Sequence, residues 1–282
     1  MKLSPLSSFC VLKQRLAKPV LALSVSLTLS ACQSVQTTNA GAVGVDRPQF
    51  VVVSAQEIES SATKAYEEII QKAQQENTLN TDKVMYKRVK TIANRLIPQT
   101  SVFRQDAVSW NWQVNVLKSE ELNAWCMAGG KMAVYSGLIT KLNLSDDEIA
   151  AVMGHEIAHA LREHSRERVS QQLATSVGLD ILAAGLGLGA GARDLAGMVT
   201  NVTLTLPYGR KHETEADRIG VELAARAGYN PQAAISLWSK MSSQGGGSPP
   251  ELLSTHPSPE NRMADLRVYA SKVMPLYQQA KR

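Results

Sequence analysis

The sequence predicts a mainly helical α+β fold in which a small β-sheet packs on the helices. Apolar residues recur at helical intervals in several long segments, and two of these segments begin with capping-box spacing. Between them, residues 110–116 alternate apolar and polar side chains, and two shorter strand-like segments follow. Helices therefore dominate, and the strands are few and grouped in the middle of the chain.

Residues 1–31 are predicted to be a signal peptide. A basic start precedes an apolar run at 20–29, which is about ten residues long and too short to span a bilayer. Leu29-Ser30-Ala31-Cys32 then resembles a bacterial lipobox with lipid attached to Cys32, and an ordinary secretory signal is the alternative. Position 33 is Gln and not the Asp that is typical of inner-membrane retention. We therefore expect the protein to be anchored on the periplasmic side of the outer membrane.

Charge and cysteine content restrict the partners and the cross-links. The formal charge of +5 includes four cations and no acidic residue within 1–31, which leaves +1 for the rest and gives no support for a nucleic-acid partner. With Cys32 lipidated, Cys126 is the one remaining cysteine, so we expect no disulfide in the mature chain. The fold must then rest on its core and on bound metal.

Residues 32–50 are predicted to be the lipidated cysteine and a flexible tether, and 51–275 the folded domain. Small and polar residues without a hydrophobic period fill 33–49, which is typical of a coil. The first helix should begin near Ser54, which has capping-box spacing to Glu57. A second helix is predicted at about 82–96, with Pro98 as its stop.

Three strands are predicted next. The alternation at 110–116 indicates a half-buried strand, and 123–127 and 131–135 are joined by Gly129-Gly130 as a hairpin. The next helix begins with the capping-box pair Ser145 and Glu148 and carries the most informative motif of the chain.

That motif is His155-Glu156-Ile157-Ala158-His159. Two imidazoles four residues apart on a helix reach one metal ion, and the carboxylate beside the first can act as general base toward a water on that metal. The metzincin extension would need Gly and His at positions occupied by Arg162 and Ser165, so that class is excluded. His164 lies on another helical face, and we expect it to be a solvated polar residue.

A catalytic zinc site needs a third protein ligand, and Glu213 is the better candidate. Asp217 lies one helical turn later and can accept a hydrogen bond from the far nitrogen of a ligand histidine. Glu215 is the alternative ligand, on nearly the opposite face of the helix. Taken alone, the segment is more typical of a solvated acidic helix face, but beside the His155-Glu156-x-x-His159 motif the metal-ligand interpretation is favoured.

The C-terminal part is predicted to be helical at 208–227, 231–242 and 258–272, with a Gly-Pro-rich break at 245–250. Residues 178–206 are rich in Gly, Ala and Leu, but their charges leave no uninterrupted run of 18 apolar residues. We therefore expect a buried or mobile helical segment covering the site rather than a transmembrane hairpin.

The motif with the later Glu213-Thr-Glu-Ala-Asp217 resembles the HtpX-like and CAAX-prenyl-protease-like family of zinc metallopeptidases, in particular its periplasmic BepA-type and LoiP-type branch. Residues 123–130, 134–138 and the His-Pro segment at 256–262 are similar as well, although Cys126 and Ala128 depart from the pattern. The resemblance implies a zincin-type (gluzincin) domain with one zinc ion on His155, His159 and Glu213.

The resemblance also implies roles for further residues. Glu156 and Asp217 are the expected catalytic carboxylates, and the strand starting at Asn123 and Ala124 is expected to pair with an extended substrate. His256 is expected to be a fourth ligand or switch, or an oxyanion donor as Tyr208 or Arg210 would be, or a plain helix-entry residue. Unfolded or misassembled envelope proteins are the expected substrates, and a chaperone of outer-membrane-protein assembly is the alternative function.

Overall fold

The computed structural model describes residues 33–185, 194–244, 251–257 and 261–282. The predicted signal peptide at 1–31, the lipidation site Cys32 and the break at 245–250 lie outside the described residues. Within the described residues, two short 3-10 helices at Ile97–Val102 and Gln105–Ser109 accompany the strands and α-helices.

The strands are β1 Gln33–Val35, β2 Gln49–Val51, β3 Gln113–Leu117, β4 Ala124–Met127 and β5 Lys131–Tyr135. The helices are α1 Ala55–Gln75, α2 Lys83–Leu96, α3 Ser136–Lys141, α4 Asp146–Leu161, α5 His164–Gly185, α6 Leu195–Leu204, α7 Arg210–Arg226, α8 Ala233–Ser242, α9 Glu251–Thr255 and α10 Arg262–Ala280. This arrangement confirms the predicted mainly helical α+β class.

The main sheet has the strand order β3-β5-β4, with β5 parallel to β3 and antiparallel to β4. Gly129 and Gly130 connect β4 to β5 with φ angles of +74° and +77°, which glycine adopts without steric cost, so the predicted hairpin is confirmed. The strand predicted at 110–116 is β3, which begins at Gln113, three residues later than predicted. Trp110 and Trp112 stack on each other at 5.5 Å between ring centroids instead of extending the strand.

The sheet separates two hydrophobic cores. Alternate strand residues such as Val114 and Val134 face a large core formed with α2, α4, α7, α8 and α10. On the other side, Trp125 and Ala133 pack against α1 and α6 in a smaller core. The metal-motif helix α4 is buried along most of its length, within the larger core.

Helices α4 and α7 pack directly against each other and approach closely at two glycines. A Cβ atom on Gly220 would lie 2.8 Å from the backbone nitrogen of His155, and one on Gly154 would lie 2.8 Å from the Gly220 carbonyl oxygen. Only glycine at both positions allows this backbone separation. The acidic residues of α7 are thereby brought beside the histidines of α4.

The predicted flexible tether at 33–49 is wrong for the residues that the structure describes. Strands β1 and β2 pair antiparallel, and Val43 and Val45 are buried in the large core. The Val43 amide donates to Glu222 (2.9 Å), and the Gln49 side chain donates to the Arg162 carbonyl (2.6 Å). Hydrogen bonds to buried groups fix this segment on the folded domain. Such contacts need no regular spacing along the sequence, so the segment shows no hydrophobic period.

The helices predicted at 208–227 and 231–242 are close to α7 and α8, whereas the last helix α10 runs eight residues beyond its predicted end at 272. Both capping boxes are confirmed, at Ser54 with Glu57 and at Ser145 with Glu148. The Gly-Ala-rich stretch contributes the end of α5 and all of α6, and 186–193 within it lies outside the described residues. None of the helices in the described ranges is both long and apolar enough to cross a bilayer. Cys126 is a free, buried thiol.

Candidate metal centre

Four buried side chains from three parts of the chain meet at one point. His155 and His159 project from α4, Glu213 from α7, and His256 from the position directly after α9. One ligand atom from each lies within 4.8 Å of all the others. The three ligands expected from the sequence thus lie together, and His256 joins them.

The separations of these atoms suit a tetrahedral zinc ion. His155 Nε2 lies 3.2 Å from His159 Nε2 and 3.3 Å from His256 Nδ1. Glu213 Oε1 lies 3.4 Å from His159 Nε2 and 2.9 Å from His256 Nδ1. Tetrahedral ligands at about 2.0–2.2 Å from zinc are about 3.3–3.6 Å apart, and imidazole with carboxylate is a donor set that zinc prefers.

Two buried carboxylate oxygens at this point give an independent indication of a cation. Glu213 Oε2 and Glu156 Oε1 are fully buried and accept no hydrogen bond from the residues described, although Arg262 Nη2 lies 3.4 Å from Glu213 Oε2 as an ion pair. A buried carboxylate oxygen without a partner is costly unless a cation compensates it. The residues present therefore fit a metal ion chemically as well as geometrically.

Glu156 lies beside the cluster rather than within it. Its Oε1 is 3.5 Å from His256 Nε2, and its side chain is buried. Burial raises the pKa of the Glu156 carboxyl, although the neighbouring His256 and His155 oppose the shift. A carboxyl group with a raised pKa close to the metal ligands has the properties of a general base.

Asp217 fixes the first ligand histidine. Its Oδ1 lies 2.9 Å from His155 Nδ1 and accepts a second hydrogen bond from Arg262 (2.7 Å). The proton of His155 is thereby held on Nδ1, which leaves the Nε2 lone pair for a metal. The Arg262 guanidinium is itself held over the Trp238 ring at 3.3 Å.

The expectation that His164 is solvated is wrong, because its side chain is completely buried. Helix α4 ends at Leu161 and α5 starts at His164, and the left-handed Glu163 (φ +50°) between them turns the chain back toward His159. The two imidazoles contact each other at 2.9 Å between their Nδ1 atoms. Burial, together with neighbouring positive charges, holds the pKa of His164 well below its usual value.

Glu215, the alternative third ligand, lies outside the metal cluster. Its Oε2 lies 3.0 Å from His164 Nε2 and accepts a hydrogen bond from Arg162 Nε at 3.0 Å. Of the two acidic residues considered from the sequence, Glu213 therefore lies in the cluster that could hold a metal and Glu215 does not. Glu215 occupies the far side of His164.

The two further candidate oxyanion donors differ in position. Tyr208 is buried and stacks on His256, with 5.0 Å between the two ring centroids. The centroid of the His159 ring lies 4.1 Å from that of Tyr208. Burial raises the pKa of the Tyr208 hydroxyl to about 12, so it stays protonated and able to donate. Arg210 is exposed at the first residue of α7. Tyr208 is thus the one of the two whose ring contacts the cluster, and its hydroxyl oxygen lies 3.3 Å from Ser165 Oγ.

Strand β4 forms one edge of the main sheet, and its outer edge pairs with no other strand of the described part of the chain. The side chains of Asn123 and Ala124 at its start are buried. The Leu122 carbonyl accepts a hydrogen bond from the Leu252 amide of α9 (3.2 Å). The segment that carries His256 is therefore docked at the start of this strand.

A partly open cavity lies beside the metal centre. Its walls come from the start of α1, the β4–β5 turn, the end of α4 and the start of α5, and they include Ile58, Trp110, Gly129, His159 and Arg166. Both apolar and charged side chains line it. The cavity connects the end of the edge strand to a metal ligand, as a substrate cleft would.

Sequence reasoning missed several residues that support the centre, namely His164, Arg162, Arg262 and Arg47. Arg262 lies in the His-Pro segment already noted, and its charge could have indicated a partner for Asp217. For His164 the chain offers no such indication. Its position depends on the helix break at Glu163, a residue type that rarely adopts positive φ.

Comparison with known proteins places the metal centre inside a recognised region. The family model described as peptidase family M48 matches residues 85–270, which contain all four clustered residues. The mitochondrial metalloendopeptidase OMA1 of Saccharomyces cerevisiae is 28% identical over 247 residues, or 83% of this chain and 70% of that protein.

Two further relatives are similar over shorter regions. The beta-barrel assembly-enhancing protease of Escherichia coli is 30% identical over 212 residues, or 72% of this chain and 42% of that protein. The mitochondrial metalloendopeptidase OMA1 of Arabidopsis thaliana is 36% identical over 152 residues, or 54% and 30%. The chain thus spans less than half the length of these two relatives.

Proposed function

The chain belongs to peptidase family M48, a family of zinc-dependent metallopeptidases, and on that premise we propose that it is a lipid-anchored zinc metalloendopeptidase of the bacterial periplasm. In this proposal it degrades unfolded or misassembled envelope proteins. The observation that carries the proposal is the cluster of His155, His159 and Glu213 at tetrahedral separations, with Glu156 beside it.

In this proposal the side chains around the cluster have different roles in peptide-bond hydrolysis. When bound, zinc supplies Lewis-acid chemistry, lowering the pKa of a coordinated water and polarising a peptide carbonyl. Glu156 accepts the proton from the attacking water at Oε1 and delivers it to the leaving amine. Asp217 keeps the proton of His155 on Nδ1, and we assign Tyr208, whose ring contacts His159 and His256, as the hydrogen-bond donor to the developing oxyanion.

The sheet edge supports an extended polypeptide as substrate. A segment pairing with β4 would be held through its backbone, so many sequences would be accepted. The cavity beside His159 would then receive a side chain of the same segment. Backbone recognition suits unfolded chains, whose amide groups are exposed, and excludes folded proteins, whose amide groups are already paired.

The proposal is tested by measuring the zinc content of the purified protein and its cleavage of an unfolded polypeptide. We expect about one zinc per chain and cleavage of reduced, alkylated α-lactalbumin, lost on removal of the metal by chelation and regained with zinc. The folded, disulfide-intact α-lactalbumin is the matched substrate control and should be cleaved much more slowly. A zinc-loaded protein that cleaves neither substrate, even without His256, would contradict the peptidase proposal.

His256 is the residue expected to restrain activity. As a fourth protein ligand it would leave no open position for a water, whereas catalytic zinc sites keep one. We expect His256→Ala to raise basal peptidase activity while zinc stays bound to the other three ligands. His212→Ala, which removes a buried imidazole outside the cluster, is the control and should not raise activity. A clear fall in the rate with His256→Ala would show an assisting role instead.

A second candidate function is favoured by the same four-ligand arrangement. A centre closed by His256 suits an assembly or quality-control factor for outer-membrane proteins with little or regulated proteolysis. The name of the Escherichia coli relative, a beta-barrel assembly-enhancing protease, agrees with such a role in that protein. Client holding that persists in Glu156→Gln, without any cleavage by the wild type, would favour this candidate.

Membrane attachment is proposed to occur through Cys32. Cys32 directly precedes strand β1, which begins at Gln33, so a lipid on Cys32 would attach the protein to the membrane next to an ordered strand. We expect Cys32→Ala to abolish metabolic labelling with palmitate and to release the protein from the outer-membrane fraction. Cys126→Ala is the control, since its thiol is buried. Retention of Cys32→Ala in that fraction would rule out a lipid anchor at this position.

A further inference from the structure

The two ligand histidines of α4 are supported in different ways. His155 contacts a carboxylate directly, since its Nδ1 lies 2.9 Å from Asp217. His159 contacts another imidazole, since its Nδ1 lies 2.9 Å from His164 Nδ1. The far nitrogen of His164 then lies 3.0 Å from Glu215. Each histidine is thus supported by a carboxylate. Asp217 contacts His155 directly, whereas Glu215 is linked to His159 through the imidazole of His164.

The directions of these hydrogen bonds follow from the ligand role of His159. Its Nε2 belongs to the cluster, so its one proton as a neutral imidazole must be on Nδ1. That proton is donated to His164 Nδ1, and His164 in turn donates from Nε2 to the Glu215 carboxylate. The chain of hydrogen bonds therefore ends at Glu215 Oε2, which accepts from His164.

Arg47, from the segment 33–53 that precedes α1, holds Glu215 in place. Its guanidinium donates from Nε to Glu215 Oε1 (2.5 Å) and from both Nη atoms to Glu167 (2.7 and 2.8 Å). Arg162, which is fully buried, donates to Glu215 as well and to the Arg47 carbonyl at 2.8 Å. A carboxylate fixed between two guanidiniums is a rigid acceptor.

We propose that the segment 33–53 is part of the metal centre, with Arg47 acting through Glu215 and His164 to hold the His159 ring in its ligand orientation. Arg47, Glu215 and His164 are positioning residues in this scheme and touch neither metal nor substrate. The inference rests on the proposed zinc site. It makes retention of the metal depend on a segment about a hundred residues away in sequence from the motif.

Zinc affinity measured by chelator competition tests the proposal on purified, folded protein. Loss of a group that orients a ligand histidine typically weakens metal binding about 10–100-fold. We expect a loss in this range for His164→Leu and a smaller but clear loss for Arg47→Met. His164→Gln should stay close to wild type, because an amide oxygen can accept from His159 while its NH₂ donates to Glu215. Arg88→Met, which breaks an ion pair to Asp146 at a similarly exposed arginine, should leave zinc affinity unchanged.

A double variant separates positioning from a general loss of stability. If Arg47 acts through His164, Arg47→Met will weaken zinc binding in the wild-type background but not further in His164→Leu. The visible spectrum of the Co²⁺-substituted protein should shift in both single variants and not in His164→Gln. Circular dichroism of the metal-free variants checks folding independently.

The outcomes distinguish this inference from the proposed function. A wild type that binds no zinc would overturn both. Tight zinc binding by the wild type, with equal affinity in His164→Leu and Arg47→Met, would overturn the inference alone. Additive losses in the double variant would also overturn it, because they would mean that Arg47 acts on the metal by a separate route.

Discussion

Glu156→Gln is expected to lower the rate of peptide hydrolysis by about 10²–10⁴-fold, the range for loss of a general acid–base group, while zinc binding stays close to wild type. Glutamine keeps the size of the side chain but cannot accept a proton at neutral pH. Because Glu156 lies beside the four clustered ligand atoms and not among them, the metal keeps its ligands. Initial rates on an unfolded polypeptide and metal analysis of the same samples give both quantities.

The matched control for this change is Glu76→Gln, at an exposed position after α1. It should leave both rate and zinc content unchanged. A Glu156→Gln protein that retains most of the wild-type rate would show that another group takes the proton, or that a contaminating protease produces the cleavage. Loss of zinc together with the rate would instead make Glu156 a ligand.

Glu213→Gln is expected to weaken zinc binding by more than the 10–100-fold typical of groups that merely orient a ligand, and peptidase activity should fall with it. The amide is neutral and a poor zinc ligand, so one of the protein donors is lost. The charge of Glu213 also compensates the Arg262 guanidinium at 3.4 Å, and Glu213 Oε1 lies 2.9 Å from His256 Nδ1. Stability should therefore fall as well, by about 3–5 kcal/mol if the partners stay buried and charged.

Glu222→Gln separates these two effects. Glu222 is fully buried on the same helix α7, where it accepts from the Val43 amide and pairs with Arg226. Its replacement should lower the free energy of unfolding without changing zinc affinity at the native state. Unchanged zinc affinity in Glu213→Gln would show that Glu213 is not a ligand of the metal.

Much of the fold was predictable because local rules agree with the tertiary structure in this chain. The capping boxes at Ser54 and Ser145 mark the starts of α1 and α4 correctly, and the Gly129-Gly130 pair marks the hairpin. These features act through neighbouring backbone groups. Capping boxes and tight turns depend mainly on residues close in sequence, so residue spacing is enough to predict them.

The segment 33–49 was predicted wrongly for the opposite reason. Its small and polar residues make no periodic pattern, yet Val43, Arg47 and Gln49 reach groups more than a hundred positions away. Contacts of this kind depend on which surfaces the helices present after folding. Composition alone therefore predicted a coil where the folded protein has an ordered part of its core.

The sequence by itself determined the chemistry: a helix with two histidines one turn apart, a neighbouring carboxylate, and a second acidic pair one turn apart on a later helix. These are short-range relations that helix geometry fixes. Only the tertiary structure decided how the set is completed. The close crossing of α4 and α7 selects Glu213 over Glu215, and the turn at Glu163 buries His164 behind His159. Such choices depend on where separate elements meet in space, which no spacing along the chain encodes.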